Sequence, residues 1–228
     1  MICGIDEAGR GPLAGPVCAA AVVLPEDFDT SVLNDSKKLS AAKRESSAAL
    51  IYKNALAWGL GWADHREIDD INILQATLLA MKRAFMQMID RSSKTFSDKL
   101  ICEKTFEIIV DGNRNPSIVF PLVFVCDGTD YHYNGKFECK TLVKADAKVG
   151  EVMAASILAK TARDSVMANY AKQYPQYGYE KHSGYPTKAH VEAVKKFGPS
   201  PIQRYSFKVE GQYLAAHEQG RSLFFETV

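Results

Sequence analysis

The sequence predicts an α/β protein, a mixed sheet flanked by helices with a small helical C-terminal segment. Three observations predict it. Strand-like and helix-like runs follow one another along the chain without internal repeats or low-complexity tracts. Of the 228 residues, 46% are apolar, enough for a core of domain size. Four of the nine prolines gather between residues 175 and 201, where the long periodic segments stop and a looped region begins.

Taken in order, Met1 to Ile5 is a short apolar run leading into Asp6, and Cys18 to Leu24 is a second one rich in Ala and Val. Two strands joined by a glycine-rich connection fit these runs. Between Ile68 and Met88, the residues Ile71, Leu74, Leu78, Met81, Phe85 and Met88 recur at alternating spacings of three and four, an amphipathic helix. Phe106 to Val110 reads as a strand running into the turn sequence Asp111-Gly112-Asn113. Ile118 to Val143 reads as two or three further strands, with Asn134-Gly135 as a hairpin turn between them. From Gly150 to about Tyr174, Val152, Ala155, Ala159, Ala162 and Val166 repeat at helical spacing on a face small enough to approach a sheet closely. A short helix from Thr187 to Phe197 and a last one after Ser206 complete the reading.

No stretch reaches the roughly 18 uninterrupted apolar residues of a membrane span, and Asp6, Glu7 and Arg10 interrupt the N-terminus before a signal core could form. The chain therefore reads as cytoplasmic. Its five cysteines, at 3, 18, 102, 126 and 139, contain no C-x-x-C pair and read as buried free thiols. The histidines, at 65, 132, 182, 190 and 217, include no pair at helical spacing, so a zinc site built on one helix has no support and any metal should have oxygen ligands.

Charge is unevenly distributed. Residues 140 to 208 carry 12 Lys and Arg against 5 Asp and Glu, whereas the rest carries 16 against 22. A basic segment beside an acidic body suits an enzyme that binds a polyanion and holds its metals with carboxylates. Asp6 and Glu7 at the end of the first strand, Asp111 at the end of a later one and Asp146 just before a helix are four acids at element boundaries. Gathered at strand ends they would repel one another unless cations neutralised them, and hard oxygen ligands suit Mg²⁺ or Mn²⁺. Neighbours in a regular strand point to opposite faces, so one metal shared by Asp6 and Glu7 requires a bend at Glu7. The glycines at 9, 11 and 15 match neither a dinucleotide fingerprint nor a phosphate loop, but would let main-chain N–H groups approach a phosphate or sugar.

The stretch Gly4-Ile-Asp-Glu-Ala-Gly-Arg-Gly-Pro-Leu-Ala-Gly-Pro16 resembles the opening motif of ribonuclease HII, the type 2 ribonuclease H. Asp35-Ser-Lys-Lys-Leu39, Asp69-Asp-Ile-Asn-Ile-Leu74, Val110-Asp-Gly-Asn113, Lys144-Ala-Asp-Ala-Lys148, Ala154-Ala-Ser-Ile-Leu-Ala-Lys160 and His182-Ser-Gly-Tyr-Pro-Thr187 follow in the family's order. The resemblance implies a ribonuclease H-like fold, with a catalytic domain over residues 1–178 and a helical substrate-binding segment over 179–228. It also implies a metal-dependent endoribonuclease that cuts the RNA strand of RNA/DNA hybrids and incises duplex DNA at embedded ribonucleotides in ribonucleotide excision repair, leaving 3′-hydroxyl and 5′-phosphate ends.

By matching position, Asp6, Glu7, Asp111 and Asp146 would be the catalytic carboxylates that bind Mg²⁺ or Mn²⁺. Gly9, Arg10 and Gly11 would contact the nucleotide around its 2′-hydroxyl, and Tyr185 would read the RNA-to-DNA junction. Lys37, Lys38, Lys144, Lys148, Lys160 and Lys181 are candidate phosphate contacts. Residues 115–142 and 91–104 are longer than the resemblance implies. Near the end, Gln219-Gly-Arg-Ser-Leu-Phe-Phe225 either tucks Leu223 and Phe224 against the body or docks into a sliding clamp, since Ser222-Leu223-Phe224 is similar to the end of clamp-binding peptides. The expected state is a monomer away from membranes. Two other readings stay open on the residues alone: a junction resolvase of the same fold type, and a non-catalytic nucleic-acid-binding module.

Overall fold

The computed structural model describes residues 1–33, 39–92, 107–116, 119–126, 129–136, 139–210 and 212–213. In chain order the elements are β1 (Ile2–Ala8), β2 (Val17–Val23), α1 (Ala41–Asn54), β3 (Ala57–Ala63), α2 (His65–Arg91), β4 (Glu107–Asp111), β5 (Val119–Cys126) and β6 (Thr129–Lys136). There follow β7 (Cys139–Leu142), α3 (Gly150–Gln173), α4 (Tyr179–His182), α5 (Lys188–Phe197), β8 (Lys208–Val209) and β9 (Gln212–Tyr213). Five strands form one mixed sheet in the order β3-β2-β1-β4-β7. β1 runs antiparallel to β2 and parallel to β4, which is itself parallel to β7. Among the described residues no helix is long and apolar enough to cross a membrane.

Every residue of β2 is buried, which explains why its sequence is a continuous apolar run and not an alternating one. Val17, Ala19, Ala21 and Val23 face one layer with Ala80, Ala84, Phe85 and Met88 of α2. Cys18, Ala20 and Val22 face the other, with Ile51 of α1 and Ala155, Leu158 and Ala159 of α3. Small residues set how close the layers come. A Cβ on Gly4 would run into the backbone of α3 at Glu151–Val152, and one on Gly59 or Gly61 into the backbone of α2. Cys3, Cys18 and Cys139 are buried free thiols, as expected.

Helix α2 starts on a capping box, with Asp64 accepting from the Arg66 and Glu67 N–H groups and Glu67 reaching back to the Asp64 N–H. The spacing predicts one continuous helix, but Asn72 leaves helical geometry (φ 65°, ψ 162°). Its side chain accepts from the Gln75 N–H and restarts the helix there.

Three expectations need correction. Asn134-Gly135 is not the hairpin turn: both residues lie inside β6, opposite Pro121 and Phe120. In the observed register Cys126 pairs with Thr129 and Val119 with Lys136, so all eight positions of each strand are paired. The chain after Ser206 is not helical over the described residues but forms the two-residue strands β8 and β9. In α2 the Asp69 carboxylate takes the N–H groups of Tyr205 and Ser206 and the Ser206 hydroxyl, at 2.9, 2.9 and 2.6 Å, fixing the turn that leads into β8. Nor does β1 bend at Glu7: its pairing with β2 continues to Ala8 opposite Cys18, and the break comes at Gly9, with φ +101°. Neither α1 nor β3 is foreseen by periodicity. α1 buries only Ser47, Ala48 and Ile51, and β3 (Ala-Trp-Gly-Leu-Gly-Trp-Ala) carries two glycines that lower its strand propensity.

Because Gly61 sits where strand and helix backbones nearly touch, Gly61→Ala should destabilise the protein by about 1–3 kcal/mol through overpacking. A urea unfolding midpoint equal to that of the unmodified protein would show that the layers can part at no cost.

Candidate active site

Parallel pairing places the carboxylates together. Ile5 of β1 lies opposite Val110 of β4, so the next residues, Asp6 and Asp111, come level at one end of the sheet. The Glu7 N–H donates to Asp6 Oδ1 at 2.7 Å, and Ser156 of α3 gives its hydroxyl to the Asp6 carboxylate. Burial first, then the charges of Glu7 and Asp111, hold the Asp6 carboxyl well above the usual aspartate range. Burial also raises Glu7, with Arg10 opposing and Asp111 reinforcing the shift. Arg10 Nη1 donates to Glu7 Oε1 at 3.3 Å. Asp111 Oδ1 accepts from the Ala145 N–H at 2.7 Å and so pins the 3₁₀ turn Ala145–Ala147, which carries the buried Asp146.

Among the described residues, no three His, Cys, Asp or Glu side chains form a closed cage for a metal ion. The donor set still fits a hard divalent cation, because Mg²⁺ keeps several waters and takes only one or two carboxylates alongside substrate phosphates. Mutual repulsion among Asp6, Glu7 and Asp111 is the strain that such a cation would relieve.

Beyond Glu7 the chain enters a loop, residues 9–16, whose carbonyls are turned inward by two fully buried arginines. Arg204 donates to the carbonyls of Gly9, Arg10, Pro12 and Gly15 at 2.7 to 3.1 Å. Arg163 of α3 donates to those of Ala14 and Pro16, and to Ser183, at 2.8 to 3.3 Å. The Leu13 carbonyl accepts from Gln203 Nε2 and the Arg204 N–H, both at 2.9 Å. By contrast, the N–H groups of Arg10 and Gly11 donate to nothing among the described residues. Gly9 fits this turn because any Cβ would strike the Arg163 side chain.

Tyr185 stands beside the loop, its ring in contact range of the Cβ position of Gly11. Lys160 Nζ lies 5.9 Å and Arg163 Cζ 6.0 Å from its ring centre. Lys160 is also paired to Asp164 at 2.7 Å. Lys144 and Lys148 are exposed on either side of the Asp146 turn, Lys148 donating to the Val143 carbonyl at 3.4 Å, and Lys181 is exposed at the end of α4. Lys37 and Lys38, like the tail from 219 to 228, lie outside the described residues. The candidates thus brought to one place are Asp6, Glu7, Asp111, Gly9, Arg10, Gly11, Tyr185 and Lys160. Residues that the motifs did not single out are Ser156, Arg163 and Arg204. An arginine inside an apolar helical repeat was the available signal for Arg163.

An acid cluster at the end of a mixed sheet of this order is the layout of the ribonuclease H-like fold. Residues 3–210 match the family model described as Ribonuclease HII, and the chain belongs to that family. It is 53% identical over 214 residues to the ribonuclease HII of Treponema denticola, covering 92% of this chain and 99% of the relative. It is 45% identical to that of Dechloromonas aromatica, covering 91% and 90%. The crystal structure of ribonuclease H2 from Pyrococcus horikoshii superposes with a TM-score of 0.60 at 27% identity, covering 91% of this chain and 94% of that one. Family membership carries endoribonuclease activity on RNA/DNA hybrids and disposes of the resolvase and non-catalytic readings.

Burying an ionised Asp6 beside other acids costs stability, so a site built this way trades stability for function. A carboxyl raised in the folded state makes stability fall as pH rises from the ordinary aspartate range through the raised value. Asp6→Asn should therefore raise the melting midpoint of the metal-free protein at pH 8 by about 2–4 °C, about 1 kcal/mol for a chain of this size, and the gain should shrink on acidification. A lower midpoint for the variant at pH 8 would contradict the assignment of burial and repulsion as the dominant forces on Asp6.

Proposed function

We propose that the protein incises duplex DNA at embedded ribonucleotides, besides cutting the RNA strand of hybrids, and leaves 3′-hydroxyl and 5′-phosphate ends. The observation that carries this reading is the junction of two chemistries on one loop, with Arg10 bonded to Glu7 on one side and Gly11 against Tyr185 on the other. Asp6, Glu7, Asp111 and Asp146 would hold two Mg²⁺ or Mn²⁺ ions, which would supply an activated water on one side of the scissile phosphate and neutralise the departing 3′-oxygen on the other. The free N–H groups of Arg10 and Gly11 reach a ribose 2′-hydroxyl where side chains would be too bulky, and only that hydroxyl marks a single ribonucleotide. Tyr185 stacks at the RNA-to-DNA junction while Lys144, Lys148, Lys160 and Lys181, with Lys37 and Lys38, take phosphates.

In this reading residues 179–228 form the substrate-binding segment of a cytoplasmic monomer, and residues 1–178 the catalytic domain, serving ribonucleotide excision. The tail Gln219–Phe225 either packs Leu223 and Phe224 against the body or docks a sliding clamp through Ser222, Leu223 and Phe224, the latter raising local concentration at new DNA.

A panel of labelled duplexes tests the reading: one with a single ribonucleotide, one all DNA, and one RNA/DNA hybrid, each with and without Mg²⁺. Incision of the first and third only, and only with Mg²⁺, is expected; equal cutting of the all-DNA duplex would overturn it. Asp111→Asn should lower the incision rate by about a thousandfold, about 4 kcal/mol of transition-state stabilisation, with an unchanged circular dichroism spectrum. Tyr185→Ala should lower the preference for a single-ribonucleotide junction over a uniform hybrid by about tenfold, within the 1–3 kcal/mol of a stacking contact. General duplex affinity, read from competition binding, should change little.

A further inference from the structure

Tyr185 is 39% exposed, so its side chain is only partly packed. Its backbone, in contrast, is fixed at both ends. The Tyr185 N–H donates to the His182 carbonyl at 2.8 Å, and the Tyr185 carbonyl accepts from the Thr187 N–H at 2.7 Å and faces His190 Nδ1 at 3.0 Å. His182 and His190 are both buried and stack face to face, ring centres 4.7 Å apart and planes 16° from parallel. Tyr179 meets both rings edge-on and bonds Ser200 Oγ through its hydroxyl at 2.6 Å, closing the slot.

Hydrogen-bond partners fix both tautomers. His182 Nδ1 accepts from the Gly184 N–H at 3.3 Å, so its Nε2–H donates to the Tyr177 carbonyl at 3.0 Å. A carbonyl only accepts, so His190 carries its proton on Nδ1 and gives it to Tyr185. His190 Nε2 is then a buried lone pair with no partner among the described residues. Such an acceptor costs stability that an apolar side chain of similar volume would not. What the imidazole supplies in return is its bond to the Tyr185 carbonyl, with a weaker interaction with the Gly184 backbone beside it.

We propose that His190 is a positioning residue for Tyr185, holding the backbone of that tyrosine so that its exposed ring stays against Gly11 and over Lys160. The inference rests on the reading of Tyr185 as the junction-facing aromatic. His190 touches no substrate; it acts through the tyrosine.

The test is a comparison of kcat/KM on a duplex with one embedded ribonucleotide and on a uniform RNA/DNA hybrid, both with Mg²⁺. His190→Leu should lower the ratio of the two by about tenfold, as Tyr185→Ala does. His190→Asn, whose amide nitrogen reproduces the Nδ1–H donor, should restore the ratio to within about twofold of the unmodified protein. In the Tyr185→Ala background His190→Leu should change the ratio no further, because the residue it positions is gone. If His190→Leu is unfolded at the assay temperature, His190→Gln, which displaces the amide from the Nδ1 position, takes its place with the same expectations. An unchanged ratio in the Leu or Gln variant, or equal losses with Asn, would reduce His190 to a core residue. Should Tyr185→Ala itself leave the ratio unchanged, the reading of Tyr185 falls and this inference with it.

Discussion

Two buried guanidiniums hold the turn on which the rest of the site depends. Arg163 and Arg204 have no exposed surface, and their hydrogen bonds go to main-chain carbonyls, most of them in residues 9–16. A loop of glycines and prolines has no intrinsic reason to choose one conformation. Donors in a rigid fork select one by satisfying several carbonyls at once, each bond from a charged donor being worth about 1.5–3 kcal/mol. Desolvation is the opposing force: burial pulls both guanidiniums below their ordinary range, and the Arg163 charge lowers Arg204 further, with Asp69 pulling it back up. Lysine could not substitute, because three donors on one nitrogen cannot span Gly9, Pro12 and Gly15 together.

The same clamp explains why the C-terminal segment is part of the site. Arg204 lies 195 residues from Gly9, and Ala14 pairs with Gln203 as a β-bridge. Leu13 donates to the Gly184 carbonyl at 2.8 Å, and a Cβ on Gly184 would collide with the Ala14 carbonyl. Ala14 shares a small core with Met167, Tyr177, Tyr179, Val194 and Ile202, so the loop, the end of α3 and the segment beyond it pack as one unit. The distance between the amides of residues 10 and 11 and the ring of Tyr185 is therefore set by buried bonds and not by surface contacts.

How much of this was legible depends on whether a feature is local. Strand β2 and helices α2 and α3 declare themselves by runs or periods of their own residues, and Asp6, Glu7 and Asp111 by their places at strand ends. The motifs marked Gly9, Arg10, Gly11 and Tyr185 as one site, although nothing in their spacing says that they touch. What escaped was long-range or relative. Asn134-Gly135 is a good turn dipeptide in isolation, and only its pairing with Pro121 and Phe120 places it inside a strand. Asp69 fixes the backbone at Tyr205 from 136 positions away. Arg163 and Arg204 look like ordinary surface cations until the carbonyls that surround them are known.

The site's electrostatics divide along the chain at Glu7. On the strand side lie acids that a bare protein can hold together only under strain; on the loop side, carbonyls point in, the amides of residues 10 and 11 donate to nothing among the described residues, and two buried cations lie beneath. A nucleic-acid backbone brings negative phosphates to both halves. Under the proposed function the loop half would attract them directly, whereas the acid half would repel them until cations intervene. Productive binding would then need the metal to join the two halves, and metal dependence would follow from the charge layout. Among the described residues the Arg10 bond to Glu7 is a direct side-chain link across the divide, and at 3.3 Å with half of the arginine exposed it is weak.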